Sequence, residues 1–452
     1  MLKIIRNEPI LARYKPLLCY LKQRVLDRLI SSTSKKVAFN TLAQAATKFI
    51  FLVMALLVTA LVTRSLGRAG YGDYSLARNF MLFFTLAIDF GLNAIIVRAI
   101  VHGKSATQRY FENLISLRLL ISVLFILFGI ALLPLFPYST TTKWGMAIAL
   151  LILIPWGLCG SVGTVFQVNL RYDLSAISII LGEAVTLVLI FLGALRGWGL
   201  LFFIGAGLIG YVIMTIAHFL LANRFGVSFS LGRDWKLWRL LLLAALPLGL
   251  MLIFSQINAK ADLFLLSLLP LPAKFSLNSS ETVGVYSLAY LIFKNAIAFP
   301  TFFMNAFFPI MVADHKEDWA RFTRRLRKAI LFLLGISVLG VGIGLVLAPR
   351  IIRIIAGGGF DHSIVALRIL LLGLPLFYLS SPLQWFLVTV GRERVLPLIY
   401  GAAAAVNIFL NLIFIPKFSY QASAVIVLAV EGLILALLAV FSWRSLIIQR
   451  NK

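Results

Sequence analysis

The chain has 452 residues, of which 61% are hydrophobic and 13% charged, with a mean hydropathy of +0.99. A soluble domain carries about 45–50% apolar residues, so a water-soluble fold is excluded. A net charge of +26 would suggest nucleic acid in a soluble protein, but here the bases fall mostly between apolar runs, which points to a membrane surface instead.

In chain order, residues 1–36 alternate Leu and Ile with Lys and Arg and hold no continuous apolar stretch. They are expected to be no cleaved leader. The stretch "LARYKPLLCYLKQRVLDRLI" reads as a basic amphipathic helix on the inner membrane surface, with a solvated arm as the plainer alternative. Twelve apolar runs follow, at 38–64, 74–100, 114–136, 144–169, 174–195, 199–222, 238–269, 283–313, 329–348, 362–390, 395–416 and 420–444. Only helices and closed barrels satisfy their backbone in lipid. These runs are too long and too poor in alternation for barrel strands. The expected fold is an all-α polytopic membrane protein of about 12 transmembrane helices.

Lys and Arg set the orientation. With the N-terminus inside, 29 of the 42 bases fall in inner segments and eight in outer ones. Both termini are therefore expected in the cytoplasm, with the anionic inner leaflet as partner of the basic loops.

The phrase Gly-x-Tyr-Ser-Leu-Ala occurs twice. At an offset of 212, Gly72, Tyr74, Ser75, Leu76 and Ala77 meet Gly284, Tyr286, Ser287, Leu288 and Ala289. At the same offset Gln44 falls on Gln256 and Lys48 on Lys260. The pattern predicts two six-helix lobes of like orientation, a 6+6 repeat around a central cavity. The divisions are an N-terminal segment 1–36, a first lobe 37–222, a linker 223–239, a second lobe 240–444 and a tail 445–452. The small residues of the phrase are expected to let the second helix of each lobe pack against the first.

Five bases remain inside spans: Lys48, Arg78, Lys260, Lys294 and Arg368. The acids there are Asp89, Glu183, Asp262 and Glu431. Each charge near the bilayer centre costs at least about 2.5–3.5 kcal/mol on insertion scales, so such residues face a cavity or pair. The plainer readings are snorkelling for the lysines, interfacial anchoring for Arg78, and local pairing for Asp89, Glu183 and Glu431. Asp262, two residues from Lys260, lies on another helix face and is expected to pair with a base elsewhere, Lys294 being one candidate. Basic groups in both lobes suit a diphosphate and suit a cationic drug poorly.

No catalytic or metal site is expected. Cys19 and Cys159 lie far apart, the four histidines stand near span ends, and Gly357-Gly358-Gly359 lacks the context of a phosphate-binding loop. Outer loops are too short to carry the chemistry of a membrane polymerase or glycosyltransferase.

"LVTRSLGRAGYGDYSLA" with "AIDFGLNAIIVRA" resembles the start of the polysaccharide transporter family, the O-antigen flippases, in the superfamily that also holds multidrug extrusion proteins and lipid II flippases. "SQINAKADLFLLSLLP" and "VGVYSLAYLIFKNAIAFPTFFMNAFFPIM" resemble the opening of the second lobe, and "AVNIFLNLIFIPKFSYQASAVIVLAVEG" the eleventh and twelfth spans. The last departs from the family pattern at Phe418 to Ser423. The resemblance implies a V-shaped pair of lobes that carries undecaprenyl-diphosphate-linked sugars across the bacterial inner membrane. It also implies a cavity arginine at Arg78. The matching second-lobe position is Tyr290, with Lys294 one turn on. No cofactor is expected beyond an ion gradient, Na+ or H+, and pathway partners would be a polysaccharide polymerase and a chain-length regulator. A multidrug or toxin antiporter of the same fold is the alternative. It should need an acid in the first lobe, for which Asp89 is the candidate.

Overall fold

The computed structural model describes residues 8–93, 95–97, 107–169, 171–225 and 230–450. Side chains at 8–46, 48, 107, 247, 248, 250–252, 309, 316 and 447–450 are outside that description. Gln44 and Lys48, and with them the cavity role expected of Lys48, therefore lie outside the described side chains.

Every regular element is helical, and among the described residues there is no strand. The first helical run, Glu8–Asp89, is broken at Gly67 (φ 66°, ψ −169°). Only a residue without a Cβ takes such a backbone at low cost. Thr59 and Tyr71 bond to each other across this break. Twelve residues of straight helix would hold them about 18 Å apart, so the chain folds back at Gly67 and the run contains spans one and two. The same reasoning divides Leu396–Arg450 at Ser419 (φ 52°), because Ser423 donates to Asn411 at 2.9 Å across the turn. These are spans eleven and twelve.

Between them lie Thr107–Leu132 (span three), Thr140–Leu151 with Leu153–Val168 (span four), Tyr172–Leu195 (span five) and Leu200–Ala222 (span six). Then come Trp235–Leu268 (span seven), Ser279–Ala296 with Ala298–Glu317 (span eight) and Trp319–Ala356 (span nine). Span ten is Asp361–Leu371 with Leu374–Thr389, bent by 43°. Among the described residues twelve helical spans result, six on either side of the linker. Leu127, Val338, Leu339 and Val346, all more than half exposed, are sheathed in lipid. Exposed Trp144 and Trp198 mark one membrane face, and Trp235 and Trp443 the other. We call these the distal end and the terminal end, the latter being the side of Trp235 and Trp443.

Several boundaries differ from the sequence reading: span three starts at Thr107 and not at 114, and span twelve runs on to Arg450 and not to 444. Span two starts at 68 and not at 74, and it breaks at Phe90 (φ 41°) and Gly91 (φ 76°). Span nine runs for 38 residues, about 57 Å, because its first turns carry an Arg and Lys stripe that continues the helix beyond the lipid.

Span seven reaches across the lobes. Its Trp238, Leu241 and Ala245 pack into a cluster with Leu92 and Ile96 of span two and Leu114 and Leu117 of span three. Linker residues secure this end: Asp234 accepts from Arg109 at 2.5 Å and caps span seven through the Leu237 N–H.

Candidate functional site

The two copies of the repeated phrase face each other. A Cβ on Gly72 would lie 1.8 Å from the Ser280 carbonyl oxygen, and one on Gly284 2.2 Å from that of Arg68. Spans two and eight thus touch backbone to backbone at the distal end. This corrects the expectation that the phrase packs each helix against its own lobe's first span; the glycines join the lobes. Polar contacts flank the crossing. Ser280 donates to Asp73 at 2.7 Å, Arg68 pairs with Glu281 at 3.1 Å, and Tyr138 and Ser267 share a hydrogen bond of 2.7 Å.

Further toward the membrane centre, span seven bonds to span two. Gln256 donates to the Leu82 carbonyl at 3.0 Å. Lys260, 8% exposed, donates to Asn79 Oδ1 at 2.5 Å. Arg78 stands mid-span, not at the interface, because its helix begins at 68. Its guanidinium donates to Tyr74 Oη at 3.5 Å and lies 5.7 Å from that ring's centroid. Glu183 and Tyr211 are within Coulombic range of it.

Lys294 is exposed, and it lies in the field of Arg78 and Lys260. Among the described residues none of these three bases has a carboxylate within 4.0 Å. Three cations from both lobes therefore converge, with Glu183 in the field of Arg78 and Asp262 in that of Lys260 but no carboxylate in direct contact. Such a site is set up for an anion. Arg368 stays outside it and donates to the Leu345 carbonyl at 3.3 Å.

The acids are otherwise engaged. Asp262 accepts from Tyr286 Oη and from the Leu263 N–H at 2.8 Å, so its partner is a phenol and not Lys294 or another base. Glu431 accepts from Ser380. Tyr290 stacks on Tyr286 at 5.8 Å and sits in the field of both Asp262 and Glu431. The first lobe presents Arg78 where the second presents this aromatic wall.

Asp89 pairs with Arg118 at 2.6 Å, and the same guanidinium nitrogen reaches Asn93 Oδ1 at 2.9 Å. Arg118 thereby bonds both sides of the break at Phe90–Gly91. Arg118 is not among the five span bases read from the sequence, yet it is fully buried. Its place four residues inside an apolar run was the signal. Asn79 was also missed; no sequence feature marks a neutral amide as a lysine's partner. No group of three His, Cys, Asp or Glu that could hold a metal is found among the described residues.

Long apolar helices, with bases of spans two, seven and eight drawn together between them, define a polytopic helical membrane protein. The chain belongs to the polysaccharide biosynthesis protein family, whose model matches residues 34–314. No curated protein matches it. Among solved structures the chain is similar to the lipid II flippase MurJ in an inward closed conformation, with a TM-score of 0.72, 16% identity, and coverage of 88% of this chain and 87% of that one. It is also similar to an inward-facing multidrug resistance MATE family transporter of the MOP superfamily (TM-score 0.69, 14% identity, 90% and 96% covered). A third is a MOP superfamily transporter from Pyrococcus furiosus, whose binding pocket is described as of reverse polarity (TM-score 0.62, 14% identity, 91% and 96% covered). At these identities the likeness establishes the fold.

Proposed function

We propose that the protein is a flippase for undecaprenyl-diphosphate-linked oligosaccharides at the bacterial inner membrane, acting by alternating access in the synthesis of a surface polysaccharide. The convergence of Arg78, Lys260 and Lys294 without carboxylate partners carries this reading. The diphosphate would sit among these bases, the sugars would line the polar cavity wall, and the prenyl chain would remain in lipid. With the distal end closed, the cavity accepts headgroups from the terminal end. The basic loops support a cytoplasmic placement of that end and of both termini.

Loading must change the relative stability of two states. A diphosphate would displace the Lys260–Asn79 bond and so loosen span seven from span two. A Na+ or H+ gradient would reset the cycle, with Asp262 and Glu431 as the charges available to sense it. A polymerase and a chain-length regulator would act on the delivered units.

Reduced surface glycan at unchanged protein level is expected for Arg78→Ala and for Lys260→Ala, by tenfold or more for the two combined. Full glycan in both single variants and the double variant would refute the basic-cavity account. The competing reading is a multidrug antiporter, whose first-lobe candidate acid, Asp89, is here paired with Arg118 at 2.6 Å. It would show drug efflux from liposomes and no glycan transfer.

A further inference from the structure

The distal seam between the lobes is not solid. A half-open chamber of about 500 Å³ lies at it, its polar lining made by Asp73, Tyr138, Ser139 and Thr142 from the first lobe and Ser267, Ser279 and Ser280 from the second. Its polar groups are hydroxyls and one carboxylate; no Lys, Arg or His lines it. An anion finds no counter-charge here. An apolar solute would strand buried hydroxyls. A polyol suits it, because each lining hydroxyl can both donate and accept.

The chamber is aligned with the basic cavity. On span two, Asp73 stands five residues distal to Arg78, about 7.5 Å along the axis. On span seven, Ser267 stands seven residues, two full turns, beyond Lys260 and on the same face. Sugars extending from a diphosphate held at the bases would reach this level. Two of the contacts that close the seam, Ser280 to Asp73 and Tyr138 to Ser267, use the same groups that would meet those sugars.

We propose that this chamber is a neutral-saccharide site at the distal end of the lobes, where glycan hydroxyls replace the seam's own hydrogen bonds. Occupancy then lowers the cost of parting the lobes, so that opening at this end is coupled to cargo and not only to the diphosphate. The inference takes its ligand class from the flippase reading and adds a second contact zone to it.

The test uses the full-length protein in lipid nanodiscs with Ser279→Cys, at an exposed lining position. The probe is the oligosaccharide released by mild acid from the host's own lipid-linked intermediate. The readout is the rate of maleimide labelling at residue 279, resolved by peptide mass spectrometry. The oligosaccharide is expected to slow labelling about fivefold at saturation. Pyrophosphate and NaCl at the same concentration should leave it unchanged. Adding Tyr138→Phe or Asp73→Asn should weaken the protection at least threefold, and Arg368→Ala, outside the site, should preserve it. Absence of protection by the oligosaccharide, or equal protection by sodium ions or pyrophosphate, would overturn the proposal. Protection without transfer of lipid-linked glycan in proteoliposomes would instead count against the flippase reading, so the two failures are distinct.

Discussion

Arg118 is 1% exposed, whereas its partner Asp89 keeps 33% of its side chain exposed. The two halves of the pair are therefore unequal in what they leave behind. Asp89→Ala strands a buried guanidinium and should cost about 3 kcal/mol or more. Arg118→Met leaves a carboxylate that water can reach, so its loss should be nearer about 1–2 kcal/mol. Thermal unfolding in detergent reads the difference: Asp89→Ala should lower Tm further than Arg118→Met, and the reverse order would contradict the burial argument. At the terminal end the Arg109 guanidinium, with the Leu237 N–H, holds the Asp234 carboxyl below its usual range. A group so shifted stabilises the fold above the pKa it has in the unfolded chain, and that contribution fades as pH falls through the lower folded value. Asp234→Asn should therefore lower stability at neutral pH and flatten the acid limb of a stability-against-pH curve, with variant and wild type converging at the lowest pH; an unchanged curve would show the contact to be idle. Arg78 was legible at this scale as a charge inside a span. The Tyr286 partner of Asp262 was not, because a sequence shows which residues share a helix face and not which neighbouring helix meets it.

At the scale of elements, the twelve spans were legible because lipid demands long apolar helices, and that demand is written directly in composition. The hairpins at Gly67 and Ser419 are so tight that helical hydrogen bonding runs nearly through them, yet the short polar interruptions had already separated the spans. The break in span two at Phe90 and Gly91 was not legible. Its stretch remains apolar, and the break is held by Arg118 on another helix. The repeated phrase shows the same limit. Sequence identity revealed that Gly72 and Gly284 are equivalent, but equivalence does not tell that the two touch. Their contact makes a sharp prediction. Gly284→Ala places a Cβ 2.2 Å from the Arg68 carbonyl, so the distal seam cannot close as described. Spin labels at Arg68→Cys and Glu281→Cys should report a longer distance in the Gly284→Ala background, and transport should fall at least fivefold. An unchanged distance would show that the lobes do not meet there.

At the scale of the whole molecule, the lobes are joined by polar bonds worth about 1 kcal/mol net each when neutral and by apolar contact that runs from one lobe into the other. The polar part of that seam can open and close, while the apolar packing within each lobe stays intact. Span seven ties the lobes at the terminal end through Trp238, Leu241 and Ala245, and it also carries Lys260. A ligand that draws Lys260 from Asn79 therefore acts on the helix that bridges the halves. The lining of the seam also divides along the molecule: bases without direct carboxylate partners in the middle, and in the distal pocket hydroxyls and Asp73, beside the Arg68–Glu281 pair. That division suits a cargo with a charged end and a neutral end. The central claim is that the unpaired bases between the lobes carry a lipid-linked diphosphate glycan across the bilayer. Transfer of undecaprenyl-diphosphate-linked oligosaccharide in proteoliposomes, read by lectin capture at the far leaflet, tests it most directly. The wild-type protein should exceed protein-free vesicles clearly, and Lys260→Ala with Lys294→Ala should fall at least tenfold at equal reconstitution. Equal transfer by wild type and the double variant, or cation efflux with no glycan transfer, would contradict it.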